Sequence, residues 1–487
     1  MGTNLGVEMK SSNLRATTLA VLLVVSAGTV AQAAGPQPTE FPPDAFPSTY
    51  QPVPSQTTLI RHATIYTGTG ERIDDGAVLL RDGKVAAIGK QVEPPEGAVV
   101  IDAKGKFVTP GLIDVHSHLG VYPSPSVAAT ANGNEMTNPT TPQVMAEHSV
   151  WPQDPGFNTA RAGGVTTLEI LPGSGNLIGG RGVVLKNVPA TTVQGMKFPD
   201  APYGLKMACG ENPMRVYGSR HQFPSTLMGD VAGYRQAFAD AQAYDREWKA
   251  WEAKVKAKGA TDAGPPPKRD LGKETLAEVL DGKIRVQMHC YRADEMAALL
   301  DVAHEFGFRI AAFHHAVEAY KIPHLLAKTD TCAAMWADWW GFKMEAWDGI
   351  RANIAMVDAG GACAMIHSDD ENGIQRLNQE VAKALSAGRR AGLDISKEHA
   401  VMWMTLNPAK ALGLDDRIGS LEPGKDADVV IWSADPFSVY ARTEKVFLDG
   451  AVVYDRNDPQ RQSTSDFMLG SAIGSHATDA AAGEGAR

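Results

Sequence analysis

The sequence lacks the features with which nucleic-acid-binding and nucleotide-binding proteins hold phosphate. Acidic residues outnumber basic ones, 56 to 46, and the formal net charge is −10, whereas phosphate binding needs clusters of Lys and Arg. One segment, 173–182, is rich in glycine but does not end in the Gly-Lys-Ser/Thr of a P-loop. We therefore expect no nucleic-acid partner.

Cysteine is scarce, and none of its spacings is that of a zinc finger. The four cysteines are Cys209, Cys290, Cys332 and Cys363. Most of them lie in or beside apolar runs that read as core strands, where cysteine behaves as a small hydrophobe. Disulfides are the alternative in an oxidising compartment, but we predict buried free thiols.

The N-terminus has no apolar run long enough to span a bilayer comfortably. Lys10 and Arg15 precede a mostly apolar stretch, 16–30, and a small-x-small cleavage site ends at Ala33. No charged stop follows the stretch, and no cysteine follows the cleavage site, which disfavours a lipoprotein anchor. The pattern predicts a signal peptide over 1–33 and a mature protein without a membrane anchor, in a bacterial periplasm or secreted.

With 487 residues and 44% apolar content, the chain can bury the core of a large enzyme. Residues 34–56 form a proline-rich, extended lead-in. Residues 57–108 alternate apolar and polar side chains between turn signals, which predicts antiparallel hairpins, and 411–456 continue that pattern. Residues 457–487 are mostly Ser, Ala, Gly and Thr, and we expect them to be disordered.

A further segment, 222–273, is rich in Ala, Lys, Asp and Trp and ends near a run of prolines. It is too long for an ordinary loop. We interpret it as a helical excursion after the fourth strand of the main domain, serving as a lid or as a contact between copies in a homo-oligomer.

The most informative segment is 109–119, TPGLIDVHSHL. Alternation along a β-strand places His116 and His118 on the same face, where two imidazoles can share one divalent cation. Taken alone, the pair is equally well explained as two exposed residues at a strand end.

Three more apolar runs end in residue types that bind metals. The runs 284–288, 308–313 and 361–366 lead into His289, His314-His315 and His367-Ser368-Asp369-Asp370. This rhythm is typical of a (β/α)8 barrel, whose chemistry gathers at the carboxyl ends of its strands. The glycine-rich segment 173–182 fits such a barrel as a βα loop that crosses its mouth.

In these motifs the chain resembles the metal-dependent amidohydrolase superfamily, in the branch related to imidazolonepropionase and the prolidase-like hydrolases. The motifs are PGLIDVHSH, GLKMACGENPMRVYG, HCYRADE, HHAVEAYKI, HSDD and IGSLEPGKDADVVIWSADP. The resemblance covers about 57–456. It implies an α/β fold in which a TIM barrel over 109–410 stands beside a composite β-sandwich built from 57–108 and 411–456.

The resemblance also implies a site for two metal ions, with ligands from four strand ends. One ion would be held by His116, His118 and Asp369, and the other by His289 and His315. His315 is preferred to His314 because it is followed by the His-x-x-Glu spacing of the family. Asp369 is preferred to Asp370 because of the His-Ser-Asp order.

Two metal ions a few ångströms apart need an anionic bridge to offset their repulsion. Lys206 could supply it as a carboxylated lysine, and Glu211 could supply it directly. We favour Glu211, because a glutamate at the end of a strand needs no modification. The nearby Tyr291 and Arg292 could meet a substrate carboxylate, although an ordinary ion pair accounts equally well for Arg292.

The expected activity is hydrolysis of an amide, peptide or cyclic amide C–N bond in a small molecule by a metal-activated hydroxide, as in a dipeptidase or a cyclic amidase. Asp369 would shuttle the proton, and mixed imidazole and carboxylate ligands favour two zinc ions per chain. The alternatives are a mononuclear, deaminase-like hydrolase of the same superfamily and a catalytically inactive barrel.

Overall fold

The computed structural model describes residues 46–124, 127–339 and 341–459. The predicted signal peptide, the first part of the proline-rich lead-in and most of the C-terminal tail lie outside the described residues. Residues 46–56 of the lead-in contain no helix or strand. No helix among the described residues is both long enough and apolar enough to cross a membrane.

Strands and helices alternate through most of the chain. The strands are β1 (Thr58–Tyr66), β2 (Arg72–Arg81), β3 (Lys84–Gly89), β4 (Val99–Asp102), β5 (Phe107–Pro110), β6 (Leu112–Ser117), β7 (Val165–Ile170), β8 (Ile178–Lys186), β9 (Gly204–Ala208), β10 (Arg285–Cys290), β11 (Ile310–His315), β12 (Cys332–Met335), β13 (Ala364–Ile366), β14 (Val429–Trp432), β15 (Thr443–Leu448) and β16 (Ala451–Asp455). The α-helices are α1 (Pro155–Ala162), α2 (Glu211–Gly218), α3 (Leu227–Lys258), α4 (Leu271–Leu280), α5 (Ala293–Phe306), α6 (Pro323–Lys328), α7 (Asn353–Ala359), α8 (Leu377–Arg390), α9 (Lys397–Ala400) and α10 (Leu406–Leu412).

The strands β6 to β13 form one sheet in chain order that curls into a nearly closed barrel. Where the two edge strands end, the backbone N–H of Asp369 donates to the carbonyl oxygen of His116 at 3.0 Å. The predicted α/β barrel is therefore confirmed, with one departure. Strand β8 runs antiparallel to both β7 and β9, whereas the other strands of this sheet are parallel to one another.

The reversed strand corrects the interpretation of the glycine-rich segment. Residues 173–177 lie in the connection from β7 to β8, and 178–182 begin β8 itself. The connection is shorter than the roughly dozen residues that a parallel return needs, so the chain turns back at once. The segment is a β–β connection and half of a barrel strand, not a βα loop.

A second sheet combines strands from both ends of the described chain, as predicted for the composite sandwich. Its order is β16-β15-β14-β5-β1-β2-β3, and β4 pairs with β1. Strand β14 lies between β5 and β15 and is antiparallel to both. Alternating apolar residues of these strands, among them Ile60, Val108 and Val429, pack into a core of their own.

The prediction of free thiols is wrong, because the four cysteines form two disulfides, Cys209–Cys290 and Cys332–Cys363. Neighbouring parallel strands bring the partners side by side. Their Cα atoms are 5.3 and 4.4 Å apart, although 81 and 31 residues separate them in sequence. Which cysteines pair depends on which strands are neighbours, and the strand order could not be read from the sequence.

The segment 222–273 contains the long helix α3, which follows β9, the fourth barrel strand. The helix buries one stripe of aromatic side chains, including Tyr234, Phe238 and Trp248. The ring of Phe238 stacks on that of Phe308 at 4.3 Å. This packing holds the helix against the outside of the barrel.

A buried ion network joins the barrel to the second sheet. Lys186, the last residue of β8, is 2% exposed, and its ammonium group lies 2.8 Å from Asp426 and 2.6 Å from Asp449. Tyr50, from the lead-in, donates its hydroxyl to Asp449. The lysine therefore pairs with two buried carboxylates in loops beside strands of the second sheet, one of which, Asp426, also pairs with Lys84.

We expect Lys186→Met to lower the free energy of unfolding by about 3–5 kcal/mol, because it leaves the buried carboxylate of Asp449 without its cation, although Asp426 keeps its ion pair with Lys84. Lys249→Met is the matched control, since Lys249 forms ion pairs with Asp245 and Asp281 but its side chain is 56% exposed. That change should cost less than about 1 kcal/mol. Urea unfolding checks both variants, and equal losses would contradict a special role for Lys186.

Candidate metal centre

Five parallel strands of the barrel deliver their last residues to one rim. Strands β6, β9, β10, β11 and β13 carry or precede the residues that the sequence singled out. Because all five point the same way, their carboxyl ends meet at the same end of the barrel. The sequence-distant candidates thereby become neighbours.

Two histidines and one aspartate form the tightest group. Oδ1 of Asp369 lies 3.0 Å from Nε2 of His118 and 3.4 Å from Nε2 of His116. The other nitrogen of each ring is occupied, since Nδ1 of His118 donates to the carbonyl oxygen of Leu171 at 2.8 Å and Nδ1 of His116 lies 3.0 Å from Nδ1 of His314. Both rings therefore present Nε2 to the carboxylate, with their orientation fixed from behind.

Backbone strain accumulates at the same place. Asp369 has φ of 51°, His315 has φ of 68° and Ala316 has φ of 41°, all in the left-handed region that is uncommon for residues other than glycine. Each such residue costs of the order of 1–3 kcal/mol and persists where the surrounding structure demands it, which is typical of functional sites.

The adjacent His314 and His315 have different surroundings. Both ring nitrogens of His314 have protein partners, namely His116 and Oε1 of Gln287 at 2.8 Å. Nδ1 of His315 has no hydrogen-bond partner among the described residues and lies 3.9 Å from Oδ2 of Asp369. His314 thus supports His116 from behind, whereas His315 keeps a nitrogen available for a ligand.

His289, at the end of β10, completes the set of predicted histidines. Its ring centroid is 4.5 Å from that of His315. Its Nε2 lies 3.3 Å from Nδ2 of Asn212, and its buried Nδ1 has no partner among the described residues. The structure therefore places His289 beside His315.

The two residues proposed as a bridge lie in different places. Lys206, on β9, is 1% exposed and its Nζ is 3.0 Å from Nε2 of His116. Glu211 comes after the end of β9, where Gly210 turns the chain with φ of 74°, and it is the first residue of α2. Among the described residues, neither Glu211 nor His289 joins the groups of three side chains whose donor atoms all lie within 4.8 Å of one another. The structure thus brings Lys206 into contact with His116.

The sequence analysis noted one further member of the cluster at a strand end but did not assign it as a ligand. His367, fully buried after β13, forms a second possible ligand group with His116 and His315, whose donor atoms lie within 4.8 Å of one another. Its ring stacks on that of His116 at 5.1 Å. The signal was present in the sequence, because His367 and Asp369 are two residues apart at a strand end, like His116 and His118.

A buried carboxylate ties the first and last barrel strands together behind this group. Oδ1 of Asp114 accepts from the backbone N–H groups of His116 and Ser368 at 3.2 Å each, and Oδ2 accepts from the hydroxyl of Ser368. Burial raises the pKa of Asp114 to about 7. This residue fixes the position of His116 relative to Asp369.

Burial also sets the charge states of the cluster. It lowers the pKa of His116, His289 and His315 well below the usual value, so these imidazoles are neutral, the form that binds metals. Burial lowers the pKa of Lys206 to about 8, against the opposing effect of Asp369. Burial alone would raise the pKa of Asp369, but the hydrogen bond and charge of His118 outweigh it and lower that pKa.

These residues fit a divalent metal ion. Nδ1 of His289, His315 and His367 are buried without a hydrogen-bond partner among the described residues, which is costly for polar atoms. Metal coordination would satisfy such nitrogens, and an anionic Asp369 beside neutral imidazoles is a donor set that zinc prefers.

Tyr291 and Arg292 follow His289 but differ in where they point. The buried ring of Tyr291 stacks on that of His315, with centroids 5.1 Å apart. Arg292 is about half exposed and pairs with Asp294 at 3.1 Å and with Glu295 at 3.5 Å. Tyr291 therefore lies in the site, whereas Arg292 forms ordinary ion pairs with neighbouring carboxylates.

Comparison with known proteins agrees with this geometry. The model of the Amidohydrolase family matches residues 107–454. An amidohydrolase structure from Thermotoga maritima is 37% identical, covering 82% of this chain and all of that chain with a TM-score of 0.74. Amidohydrolase tasK of Hapsidospora irregularis is 33% identical over 82% of this chain, which spans only 43% of that protein. An imidazolonepropionase of Mesorhizobium japonicum is 25% identical over 74% of this chain and 87% of its own length. The chain belongs to the amidohydrolase family.

Proposed function

We propose that this protein is a zinc-dependent hydrolase that cleaves an amide, peptide or cyclic amide C–N bond. The observation that carries the proposal is the buried cluster of neutral histidines around Asp369, in which three imidazole nitrogens lack a hydrogen-bond partner among the described residues. The family supports a metal-dependent hydrolysis of C–N bonds. The cluster would supply the ligands for the metal ion that this hydrolysis needs.

The arrangement supports two metal positions. His116, His118 and Asp369 would hold one ion, and His289 and His315 the other, with His367 packed against both His116 and His315. Lys206 projects into the first group, which makes it the better candidate for the bridge than Glu211. With its pKa lowered to about 8 by burial, a fraction of Lys206 is a free amine at neutral pH. Only the free amine can react with carbon dioxide to give the anionic carbamate.

Zinc, when bound, supplies Lewis acidity that polarises a carbonyl group and activates water at neutral pH. The chain supplies the rest. Asp369 is positioned to take the proton of the attacking water and to pass it to the leaving nitrogen. Tyr291 and Trp336 stack on His315, where they shield this part of the site from bulk water.

We also propose that the protein acts outside the cytoplasm. The predicted signal peptide is one argument, and the two disulfides are an independent one. Disulfides form and persist in oxidising compartments and are rare in the cytosol. The role of α3 as a lid or as a contact in a homo-oligomer likewise stays a proposal.

The bridge assignment predicts that Lys206→Ala abolishes hydrolysis and that short-chain carboxylic acids, which replace the carbamate, restore part of it. Glu211→Gln should keep activity within about threefold of the wild type, because a partly exposed rim carboxylate adds little to the site. Initial rates with and without added acetate or propionate check both variants. The reverse pattern, an inactive Glu211→Gln and a nearly unchanged Lys206→Ala, would return the bridge to Glu211.

The proton-shuttle assignment predicts that Asp369→Asn lowers kcat and kcat/KM together by at least about a hundredfold, because the proton moves only in the transition state. The assay uses zinc-loaded protein and a panel of dipeptides, N-acyl amino acids, lactams and lactones. Bound zinc should be largely retained, because the amide oxygen of the introduced asparagine would still coordinate weakly.

Asp370→Asn is the matched control for this experiment. Asp370 accepts from the backbone N–H groups of Asn372 and Gly373, a capping role that asparagine also fills. The activity of the Asp370→Asn variant should stay near that of the wild type. Equal losses in both variants, or a larger loss in Asp370→Asn, would contradict the role of Asp369.

A further inference from the structure

A lysine reaches the rim on the His289 side of the metal centre. Lys343 lies in the loop between β12 and α7, and its Nζ is 3.0 Å from Oδ1 of Asn212, the residue whose Nδ2 contacts His289. The same Nζ lies 4.1 Å from the centroid of the Tyr291 ring. Lys343 thus contacts two residues that themselves contact the candidate ligands, which Arg292 does not.

The ammonium group of Lys343 keeps unused donors, because among the described residues its one hydrogen bond goes to Asn212 and its contact with Glu345 is an ion pair that leaves Oε2 of Glu345 without a hydrogen bond. An ammonium carries three donors, and among the described residues two oxygens lie within reach, Oδ1 of Asn212 and Oε2 of Glu345 at 3.1 Å. Glu345 is held in turn through its Oε1, which accepts from the backbone N–H of Glu211. The pair is therefore fixed in place, with the lysine side chain 15% exposed.

The same loop carries aromatic side chains next to the lysine. Trp336 stacks on His315 at 4.3 Å, and Trp339 stacks on Trp336 at 5.5 Å. The ring centroid of Phe342 lies 5.9 Å from that of Trp336. Trp339 is 40% exposed and Phe342 is 58% exposed. Exposed rings at the rim of a site are typical of surfaces that bind an apolar group.

We propose that Lys343 binds the carboxylate of the substrate and that Trp339 and Phe342 contact its side chain. The substrate class is then an N-acyl α-amino acid, or a dipeptide, whose carboxyl-terminal residue has a large apolar side chain and a free carboxylate. This inference rests on the proposed function and names its substrate class. A cyclic amide without a carboxylate would offer the ammonium group no anionic acceptor.

The spacing of the groups agrees with this class. In an N-acyl amino acid a single carbon atom separates the carboxylate from the nitrogen of the scissile bond. The group that binds the carboxylate must therefore lie close to the metal ligands. Lys343 meets this requirement, because a single side chain, that of Asn212, contacts both Lys343 and His289. The side chain branches from that same carbon, so its subsite must adjoin the anchor, as Phe342 does.

Binding of 3-phenylpropionate and 3-phenylpropionamide to the zinc-loaded protein tests the inference without requiring turnover. The acid should bind at least about tenfold more tightly than the amide, as expected for a charge-assisted hydrogen bond. Lys343→Met should reduce this ratio to about one while leaving the affinity for the amide unchanged. Lys321→Met, which removes a partly exposed lysine paired with Glu318 and Asp348, should leave both affinities unchanged. Titration calorimetry measures all of them.

Three outcomes would overturn the inference. Equal binding of acid and amide by the wild type would show that the site has no carboxylate anchor. A preference for the acid that survives Lys343→Met would assign the carboxylate to the metal ions. Equal weakening of acid and amide in Lys343→Met would give the lysine a structural role in the loop.

Hydrolysis of N-acetyl-phenylalanine and N-acetyl-phenylalaninamide separates this inference from the proposed function. Cleavage of both at equal kcat/KM would support the proposed function and overturn the carboxylate anchor. Cleavage of neither, together with the expected binding ratio, would support the anchor and argue against amide hydrolysis. We expect the acid to be cleaved with a kcat/KM at least about tenfold higher, and Lys343→Met to remove that preference.

Discussion

Neutral imidazoles buried together at the rim of the barrel are the constraint on which the site depends. Burial lowers their pKa values, so protonation cannot offset the missing hydrogen bonds of His289, His315 and His367. A cation that accepts these lone pairs resolves the conflict. The backbone at His315 and Asp369 is left-handed, a conformation that persists where the surrounding structure demands it and that clusters at functional sites.

Several contacts elsewhere in the fold fix the positions of the strand ends that carry these histidines and Asp369. Asp114 fixes the ends of β6 and β13 against each other, and Gln287 and His314 support His116 from behind. The disulfide between Cys209 and Cys290 joins the strands that carry Lys206 and His289. Farther away, Lys186 fastens the reversed strand β8 to the second sheet.

Local sequence patterns predicted the features that depend on a single strand. The features that depend on which strands pair with each other could not be predicted in this way. Alternation places His116 and His118 on one face whatever the neighbours are, so that pair was visible in the sequence. The partners of the cysteines and the direction of β8 depend on strand order and on a short connection. Lys206 lies within β9 and reaches His116, whereas Glu211 comes after the turn at Gly210 and begins α2, and strand patterns do not predict that turn.

The claim that this cluster binds metal is tested most directly by counting zinc. Protein saturated with zinc and then freed of loosely bound ions should retain about two zinc ions per chain by inductively coupled plasma mass spectrometry, as a two-metal site requires. The variant that combines His116→Ala with His118→Ala should retain clearly less. A wild-type protein that keeps no more zinc than this variant would contradict the account.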